Sequence, residues 1–309
     1  MYHKAYGIIE TLAPLHIGAS AGEETGNLNL IFRDQFTQTG IIPGSSIRGR
    51  FRADMRLEEK LKVKNCDELE QNNSIENTEI SSNEKIEKEK LTSVEYWYGK
   101  DAKSGKEDST TEGIVKFEYA SILWLPIYCP SQPVVLVTCP ALLKRYQKLT
   151  QKPIQKIEPY SYYVPRGIKK PQHSALFFNL GCLPLKKEEA KLQEYTKEIE
   201  SIQEYLVFVV KDSEIATIHD MGLYRQSRVA LKPDQKTVAG TSFFNVEALP
   251  EGTILVFPIA LRSSDTDNNP WDKFVKDSSI NPSKELYFGG LESVGFGRTN
   301  IILKKTAEN

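Results

Sequence analysis

Histidine and cysteine are scarce in this sequence, and neither has the spacing of a metal or redox site. Four histidines and four cysteines occur among 309 residues. The cysteines stand at positions 66, 129, 139 and 182, so no two of them form a C-x-x-C pair. This spacing disfavours a structural zinc site. Unpaired cysteines in a chain of this length are typical of a reduced, cytosolic protein.

The chain also lacks a long apolar run and an excess of charge. No stretch approaches the about 20 apolar residues of a membrane span. The first residues, MYHKAYGIIETLAPLHIG, have no apolar core of a signal peptide. Forty basic and 41 acidic residues leave a net charge of −1. A general polyanion binder is strongly basic, so this globular, cytoplasmic chain would hold a polyanion only through local basic clusters.

Strand and helix signals alternate along the chain, which predicts an α+β fold with its sheets covered by helices on one face. Helices are predicted from Ser46, after Pro140 and in DSEIATIHDM. Strands are predicted in AYGIIETLAPLHIG, LNLIF, IVKFEYASILWLPIY, PVVLVTCP, SALFFNLGCLPL, YLVFVV, GTILVFPIALRS and on both sides of FGGLESVGFGR. A further helix is predicted from Lys186 to Leu206, because Leu192, Tyr195, Ile199, Ile202 and Leu206 follow a 3-4 spacing. We expect it to dock on the sheet, with a partner-binding helix as the alternative.

Five polar stretches interrupt this pattern, at 18–40, 58–92, 100–113, 151–174 and 263–283. Long loops in a compact domain are usually functional or disordered. The stretch 58–92 is rich in Glu, Lys, Asn and Ser and has few apolar residues to bury. It is therefore predicted to be a mobile, partly disordered insertion.

The stretch IIPGSSIRGRFRADMR, residues 41–56, places arginines at the start of a predicted helix. Ile47, Phe51 and Met55 recur every four residues and predict an inward stripe. A helix N-terminus is the positive end of the helix dipole, so cations there are unfavourable unless an anion arrives. Helix amides, hydroxyls and guanidinium groups together predict a phosphate site, whose members are Ser45, Ser46, Arg48, Arg50 and Arg52. The alternative is a solvated basic face paired with acids of the same chain.

Two further clusters could hold an anion. FGGLESVGFGR would let backbone amides approach a ligand closely, although no strand–GxGxxG–helix context marks a dinucleotide site and a simple tight turn is the alternative. RQSRVALKPDQKTVAG alternates like a hairpin and carries Arg225, Arg228, Lys232 and Lys236. Three separate basic patches on a nearly neutral chain favour an extended polyanion.

Catalytic residues are harder to identify. No Ser-His-Asp order or nucleophile elbow occurs. His16, in PLHIG, stands at a predicted strand end beside the first polar loop, where a structural role is the alternative to a functional one. Acidic candidates near that loop are Glu23, Glu24 and Asp34.

The motif series PLHIG…RD…IIPGSSIRGRFR resembles the N-terminal signature of the RAMP superfamily, CRISPR effector subunits built on ferredoxin-like (RRM-like) folds. FGGLESVGFGR resembles the C-terminal glycine-rich loop of that superfamily. ILWLPIYCPSQPVVLVTCPALLKRY and RQSRVALKPDQKTVAGTSFFNVEALPEGTILVF resemble the backbone subunit of type III-B (Cmr) complexes. The related subunit of type III-A complexes is the nearest alternative, and the sequence leaves the subtype open.

The resemblance implies a single RAMP domain over residues 1–309. It would be an RRM-like palm with a thumb β-hairpin, the 58–92 insertion and a thumb or inserted region at 151–245. Copies would stack as a filament along CRISPR RNA, pair that guide with target RNA and join other effector subunits. Implied RNA contacts are His16, Gly18, Ser45, Ser46, Arg48, Arg50, Arg52, Arg225, Arg228, Lys236, Gly289, Gly290, Gly295, Gly297 and Arg298.

The superfamily resemblance also implies target-RNA cleavage, with an aspartate in a pattern resembling D-x-P-[IV]-x-R-[DE]. Here LNLIFRD matches its end at Arg33 and Asp34, but Leu28 stands at the aspartate position. A leucine can neither accept a proton nor bind a metal. The remaining catalytic candidates are Glu24, Asn27 and Asp34, and a divalent metal, Mg or Mn, is expected only if the protein cleaves RNA.

Four functions stay open at this point. The first is a guide-binding backbone subunit with weak or lost cleavage, and the second is an active, metal-dependent endoribonuclease of the same architecture. The third is a repeat-RNA processing endonuclease, which would rely on a histidine such as His16. The fourth, an unrelated metabolic enzyme that binds a nucleotide at the glycine loop, is disfavoured by the missing fingerprint.

Overall fold

A computed structural model describes most of the chain. It covers residues 2–19, 28–72, 92–100, 110–130, 132–153, 155–179, 181–231, 238–262 and 270–306, with side chains in those ranges except at 63–72, 133, 230–231 and 238–243. The candidates Glu24, Asn27 and Lys236 lie outside the described residues, as does the part of the predicted insertion at 73–91.

Sixteen strands and five α-helices form within these ranges. The strands are β1 (Tyr2–Thr11), β2 (Leu28–Asn29), β3 (Ile41–Ile42), β4 (Val115–Phe117), β5 (Ala120–Cys129), β6 (Gln132–Thr138), β7 (Ser161–Tyr163), β8 (Ala175–Phe178), β9 (Gly181–Pro184), β10 (Lys187–Glu188), β11 (Leu206–Val209), β12 (Tyr224–Leu231), β13 (Val238–Ala248), β14 (Ile254–Arg262), β15 (Ser283–Tyr287) and β16 (Arg298–Lys305). The helices are α1 (Gly44–Asn72), α2 (Ser93–Tyr98), α3 (Pro140–Thr150), α4 (Ile215–Gly222) and α5 (Pro270–Ser278).

One large sheet organises the molecule. Its strands follow the order β10-β7-β11-β6-β5-β14-β1-β16-β15, with β3 beside β5 and β4 beside β14. Neighbours are antiparallel except β11 with β6 and β10 with β7. The predicted α+β class is therefore confirmed. Across the described ranges, no helix combines the length and apolar character needed to cross a bilayer.

Both faces of the sheet are buried. Ala5 and Ile9 of β1 pack into the cluster that includes Phe51 of α1. Tyr6 and Ile8 point the other way, into a second cluster with α3 and the 192–202 segment. Burial on both faces explains why the central strands are almost continuously apolar, and it corrects the expectation of cover on one face.

Strands β12 and β13 form an antiparallel hairpin, the predicted thumb, in which Arg225 lies opposite Glu247. Strand β2 runs parallel to β13 and pairs Leu28 with Asn245. Within the range 151–245, strands β7, β10 and β11 belong to the large sheet, and β8 and β9 form a separate two-stranded hairpin.

The prediction of an α-helix from Lys186 to Leu206 is wrong. This segment contains β10 and two 3₁₀ turns, Ala190–Tyr195 and Ser201–Glu204. The five apolar residues of the pattern are nevertheless all buried. Turns of about three residues each return side chains to the same side at nearly the spacing of an α-helix, so the sequence pattern identified the buried face but not the backbone.

Two polar stretches contain helices that their composition concealed. Helix α1 continues through residues 58–72, because this part has no Gly or Pro and is rich in the helix formers Glu, Lys and Leu. Glu59 accepts a hydrogen bond from the Val94 amide at 3.1 Å, so this turn is docked on the fold. Helix α5 lies inside the stretch 263–283 and buries Trp271 and Phe274.

Candidate nucleic-acid interface

Helix α1 begins at Gly44, two residues before the predicted start. The Pro43 carbonyl, rather than a serine hydroxyl, accepts from the amides of Ser46 and Ile47 at 3.0 and 3.1 Å. A Cβ on Gly44 would lie 2.6 Å from the Phe117 carbonyl oxygen, so only glycine lets the helix start against this segment. Ser45 is exposed at this end of the helix.

The arginines of α1 differ in what they contact. Arg48 donates to the Tyr98 carbonyl at 2.7 Å, and its guanidinium lies 5.9 Å from the centre of the Tyr98 ring. Arg52, half-buried one turn later, also makes contacts inside the protein. Arg50 has no ion pair among the described residues, and its Nε is buried without a hydrogen-bond partner. No acidic residue lies in the first turn of α1, so the helix itself supplies no carboxylate at this end.

Gly49 lies next to Arg50 on the exposed side of α1. A Cβ built on it meets no atom within 4 Å. A glycine in a helix costs about 1 kcal/mol relative to alanine. No neighbouring atom of the chain would clash with a side chain at position 49. The glycine therefore leaves room for the close approach of another molecule.

The glycine-rich loop between β15 and β16 packs on residues 14–18. A Cβ on Gly289 would lie 2.1 Å from the His16 carbonyl oxygen, and Gly289 has a φ of +78°. The Gly290 amide donates to that same oxygen at 3.2 Å, and the Gly297 amide donates to Pro14 O at 2.9 Å. The Gly295 amide likewise bonds within the loop, to Glu292 O. The amides of Gly290, Gly295 and Gly297 are therefore already hydrogen-bonded within the protein.

His16 and Gly18 belong to the same packed region. The Nδ1 of His16 lies 2.7 Å from the Glu247 carbonyl oxygen, and the ring is nearly buried. A Cβ on Gly18 would lie 3.1 Å from His16 Nε2. This placement matches the structural alternative for His16.

Arg298 follows the glycine loop and forms a two-pronged ion pair with Glu285. Its Nε and Nη2 donate to the two carboxylate oxygens at 2.9 and 2.8 Å. Both side chains are about half exposed. A carboxylate of the same chain therefore already occupies this guanidinium.

The base of the thumb contains a charge cluster, built around one buried carboxylate, that the sequence analysis missed. Glu247, 1% exposed, accepts from Arg33 at 2.9 Å and from Arg225 at 3.1 Å. Arg33 also contacts Asp220 of α4. Burial alone would lower the pKa of Arg33, but the two carboxylates raise it. Glu247 could have been identified as an ion-pair partner from its position opposite Arg225 across the hairpin. That position is known only once the strand register is known.

His219 extends this cluster into the protein. Its Nε2 accepts a hydrogen bond from the Gly40 amide at 2.9 Å, so Nδ1 carries the proton and faces Asp220 at 3.4 Å. Burial lowers the pKa of His219. The His219 hydrogen bond, followed by Arg33, lowers the pKa of Asp220 to about 2. The cluster thus ties the thumb, α4 and the strand before α1 together.

Arg228, farther along the thumb, has a different environment. Its guanidinium lies 5.9 Å from the centre of the Phe244 ring. Its Nη1 is buried without a hydrogen-bond partner among the described residues. Arg50 and Arg228 are therefore predicted RNA contacts that each keep a buried donor atom without a hydrogen-bond partner among the described residues.

The described catalytic candidate, Asp34, has a structural partner for each carboxylate oxygen. Oδ1 accepts from the amides of Phe36 and Thr37, and Oδ2 accepts from the Tyr119 hydroxyl at 3.3 Å. Burial alone would raise the pKa of Asp34, but these hydrogen bonds lower it. Within the described ranges, no group of three or more His, Cys, Asp or Glu side chains could hold a metal ion.

A ladder of backbone hydrogen bonds connects the glycine loop with α1. Gly290 bonds to His16, Phe32 to Ile17 at 3.0 Å, and Ile41 to Phe32 at 2.9 Å. Three strand spacings separate the loop from β3, or about 14 Å. Phe296 of the loop packs on Val246 and Ala248 of the thumb. The three basic patches of the sequence therefore lie on one continuous part of the molecule.

The profile of the RAMP superfamily matches residues 8–300 of this chain. No curated protein gives a significant sequence match. Oligomeric Cmr4 from Pyrococcus furiosus is 18% identical, with a TM-score of 0.63 over 99% of this chain and 100% of that chain. A chain of the type III-B Cmr-beta complex bound to cognate target RNA is 16% identical, with a TM-score of 0.67 over 97% and 96%. A chain of the apo complex is 14% identical, with a TM-score of 0.65 over 99% and 98%. At these identities the likeness establishes the fold.

Proposed function

The chain belongs to the RAMP superfamily, and on that premise we propose that it is a CRISPR RNA-binding backbone subunit of a type III-B effector complex. Several copies bind side by side along one guide RNA in the cytoplasm, together with other effector subunits. The bound guide then pairs with target RNA. The fold shared over the full length of Cmr4 supports the type III-B assignment.

The observation that carries this proposal is the start of helix α1. Arg50 lacks an ion pair among the described residues, Gly49 leaves open space beside it, and the first turn carries no acid. A phosphate group fits such a surface, because it neutralises both the arginine and the helix end. Ser45 offers a hydroxyl at the same end. Arg228 supplies a second cationic contact from the thumb.

The other implied contacts act mainly by holding this surface in shape. Arg48 is fixed on Tyr98, Arg225 on Glu247, and Arg298 on Glu285. His16, Gly18 and the loop glycines support the backbone ladder beside α1. Ser46 and Arg52 remain predicted contacts on α1.

We further propose that cleavage of the target is weak or lost in this subunit. Leu28, at the expected aspartate position, lies half-buried in β2 opposite Asn245. The described residues do not fit a divalent metal, which requires several oxygen ligands. Mg or Mn therefore has a role only if the undescribed Glu24 or Asn27 contributes to a site.

The proposal is tested by the size of the protein in solution with and without guide RNA. We expect light scattering after size exclusion to show a ladder of multimers whose length follows the length of the RNA. A single complex of one or two copies that cuts repeat RNA once would instead identify a processing endonuclease, and no RNA binding at all would reject both.

Cleavage is tested separately on the assembled complex. Complementary RNA with Mg²⁺ or Mn²⁺ should remain intact with the natural chain, whereas Leu28→Asp should introduce regularly spaced cuts. Leu28→Asn is the matched control, because it is polar but carries no charge. Regular cuts by the natural chain would contradict the loss of activity, and Glu24→Ala would then test that residue.

A further inference from the structure

Phe36 is 91% exposed, the largest exposed fraction among the large apolar side chains of the described residues. It stands on the turn that joins the β2 segment to β3. Exposing an aromatic ring to water is unfavourable, and a flexible loop could fold such a ring back onto the surface. This turn is not such a flexible loop, because hydrogen bonds fix its backbone.

The turn is fixed by its own hydrogen bonds. Asp34 O accepts from the Gln38 amide at 2.9 Å, and the Asp34 amide donates to Thr39 O at 2.8 Å. The Asp34 carboxylate also receives the Phe36 amide at 3.0 Å. The hydroxyls of Thr37 and Thr39 meet at 2.8 Å. The backbone that carries the exposed Phe36 ring is therefore already ordered.

A second aromatic ring lies beside the turn. The Tyr119 hydroxyl donates to the same Asp34 carboxylate. The guanidinium of Arg145 lies 4.1 Å from the centre of the Tyr119 ring and is oriented by a 2.8 Å bond from its Nε to Ser121. Aromatic rings next to a fixed cation are the features that bind bases of single-stranded nucleic acid.

This surface is continuous with the start of α1. Tyr119 contacts the turn, while Phe117 and Glu118, just before it, pack against Gly44. Glu118 is exposed between the two and would repel a phosphate. A neutral base therefore fits beside the turn, while the phosphates fit at Arg50.

We propose that Phe36 is a base-stacking residue, on which a nucleobase of the RNA bound at α1 lies flat. This inference rests on the proposed function and adds a contact to its binding surface. The Tyr119 ring, held by Arg145, borders the same position. Stacking tolerates any base, so this contact adds affinity without selecting a sequence.

The direct test is fluorescence of Phe36→Trp. Trp97, Trp124 and Trp271, the three natural tryptophans, are buried, so the introduced indole is the one open to acrylamide. Titration with single-stranded oligoadenylate should quench its emission and protect it from acrylamide. Tyr128→Trp is the matched control, because Tyr128 is 67% exposed and lies nine residues after Tyr119 along an extended segment, or about 30 Å from it.

Affinity gives the second readout. Phe36→Ala should weaken RNA binding about 5- to 150-fold, the range of one lost stacking contact. Its dependence on salt should not change, because no charge is removed. Tyr128→Ala should bind as the natural chain does, and all variants should keep their melting temperature, since neither ring is packed.

Three outcomes overturn the inference, and they differ from one another. If Phe36→Ala binds RNA normally and the introduced indole stays open to acrylamide, the stacking contact is absent while the proposed function stands. If the natural chain binds no RNA, the proposed function fails as well. If the indole becomes protected on raising the protein concentration without RNA, a second copy of the chain covers it instead.

Discussion

The base of the thumb and the start of helix α1 both carry clustered arginines, but Arg33 and Arg225 at the base of the thumb pair with carboxylates of the chain, whereas Arg50 of α1 has no ion pair among the described residues. At the thumb, Glu247 lies between Arg33 and Arg225, and Asp220 receives a further contact. On α1, Arg50 has no such partner among the described residues. Arginines paired inside the chain build the structure, and an arginine left without a carboxylate remains available for a polyanion.

The strongest way to break this comparison is to remove the carboxylate from the thumb cluster. Glu247→Ala removes the buried carboxylate that Arg33 and Arg225 share, and because Arg33 keeps Asp220 and Arg225 is half exposed, we expect a loss of about 1–3 kcal/mol in the free energy of unfolding. Urea unfolding measures it. Glu285→Ala is the control, because the exposed pair with Arg298 should contribute nothing measurable. Equal losses in both variants would contradict the contrast between buried and exposed pairs.

The same cluster predicts a dependence of stability on pH. The pKa of His219 is lowered in the folded protein by burial, and Arg33 adds to this while Asp220 and Glu247 oppose it. The unfolded chain therefore binds the proton more readily. The contribution of neutral His219 to stability is fully present above pH ~6.5. Below that pH, the free energy of unfolding should fall by up to about 1.4 kcal/mol per pH unit.

Unfolding free energies at pH 7.5 and 5.5 measure this effect. His219→Gln is the control, since a side-chain amide can still accept from the Gly40 amide but does not titrate there. The free energy of unfolding of this variant should therefore depend less on pH between 7.5 and 5.5. An unchanged slope would show that other groups cause it. Asp220, with its pKa lowered to about 2, should add a separate loss only as the pH falls from about 4 toward 2.

On the other side of the comparison, Arg50→Ala should change RNA binding and not stability. We expect a loss of about 1–2 kcal/mol in RNA binding free energy for all sequences alike. The slope of log affinity against log salt should fall by about 0.7 for one lost phosphate contact. Fluorescence anisotropy with labelled single-stranded RNA measures both. Arg298→Ala, at a guanidinium already paired with Glu285, should change neither quantity, and an equal effect there would remove the distinction.

The smallest expected effect concerns Gly49. Gly49→Ala should stabilise the free chain by up to about 1 kcal/mol, since the added Cβ meets no atom and glycine is a poor helix former. It should weaken RNA binding at the same time, because the methyl group occupies the open space beside Arg50. Ala53→Gly, one turn later on the exposed side, should destabilise the helix with RNA binding unchanged. Tighter RNA binding by Gly49→Ala would contradict the close approach.

Much of the fold could be predicted because the strands bury both of their faces. An almost continuously apolar run such as ILVFPIALR of β14 is typical of a strand that is buried on both faces. The stripe of Ile47, Phe51 and Met55 on helix α1 is buried as expected. Prediction failed where an α-helix and 3₁₀ turns give nearly the same spacing of apolar residues, as at 190–204. It also failed where composition concealed helices, at 58–72 and 270–278.

The candidate site shows the same division. The sequence by itself determined where the arginines, glycines and the leucine at position 28 stand, because residue type and local spacing are written in the chain. Only the tertiary structure decided which arginines remain available, since Glu247 reaches Arg33 across 214 positions and Glu285 reaches Arg298 across a strand pair. Charge neutralisation acts through space over a few ångströms, and the fold alone sets those distances.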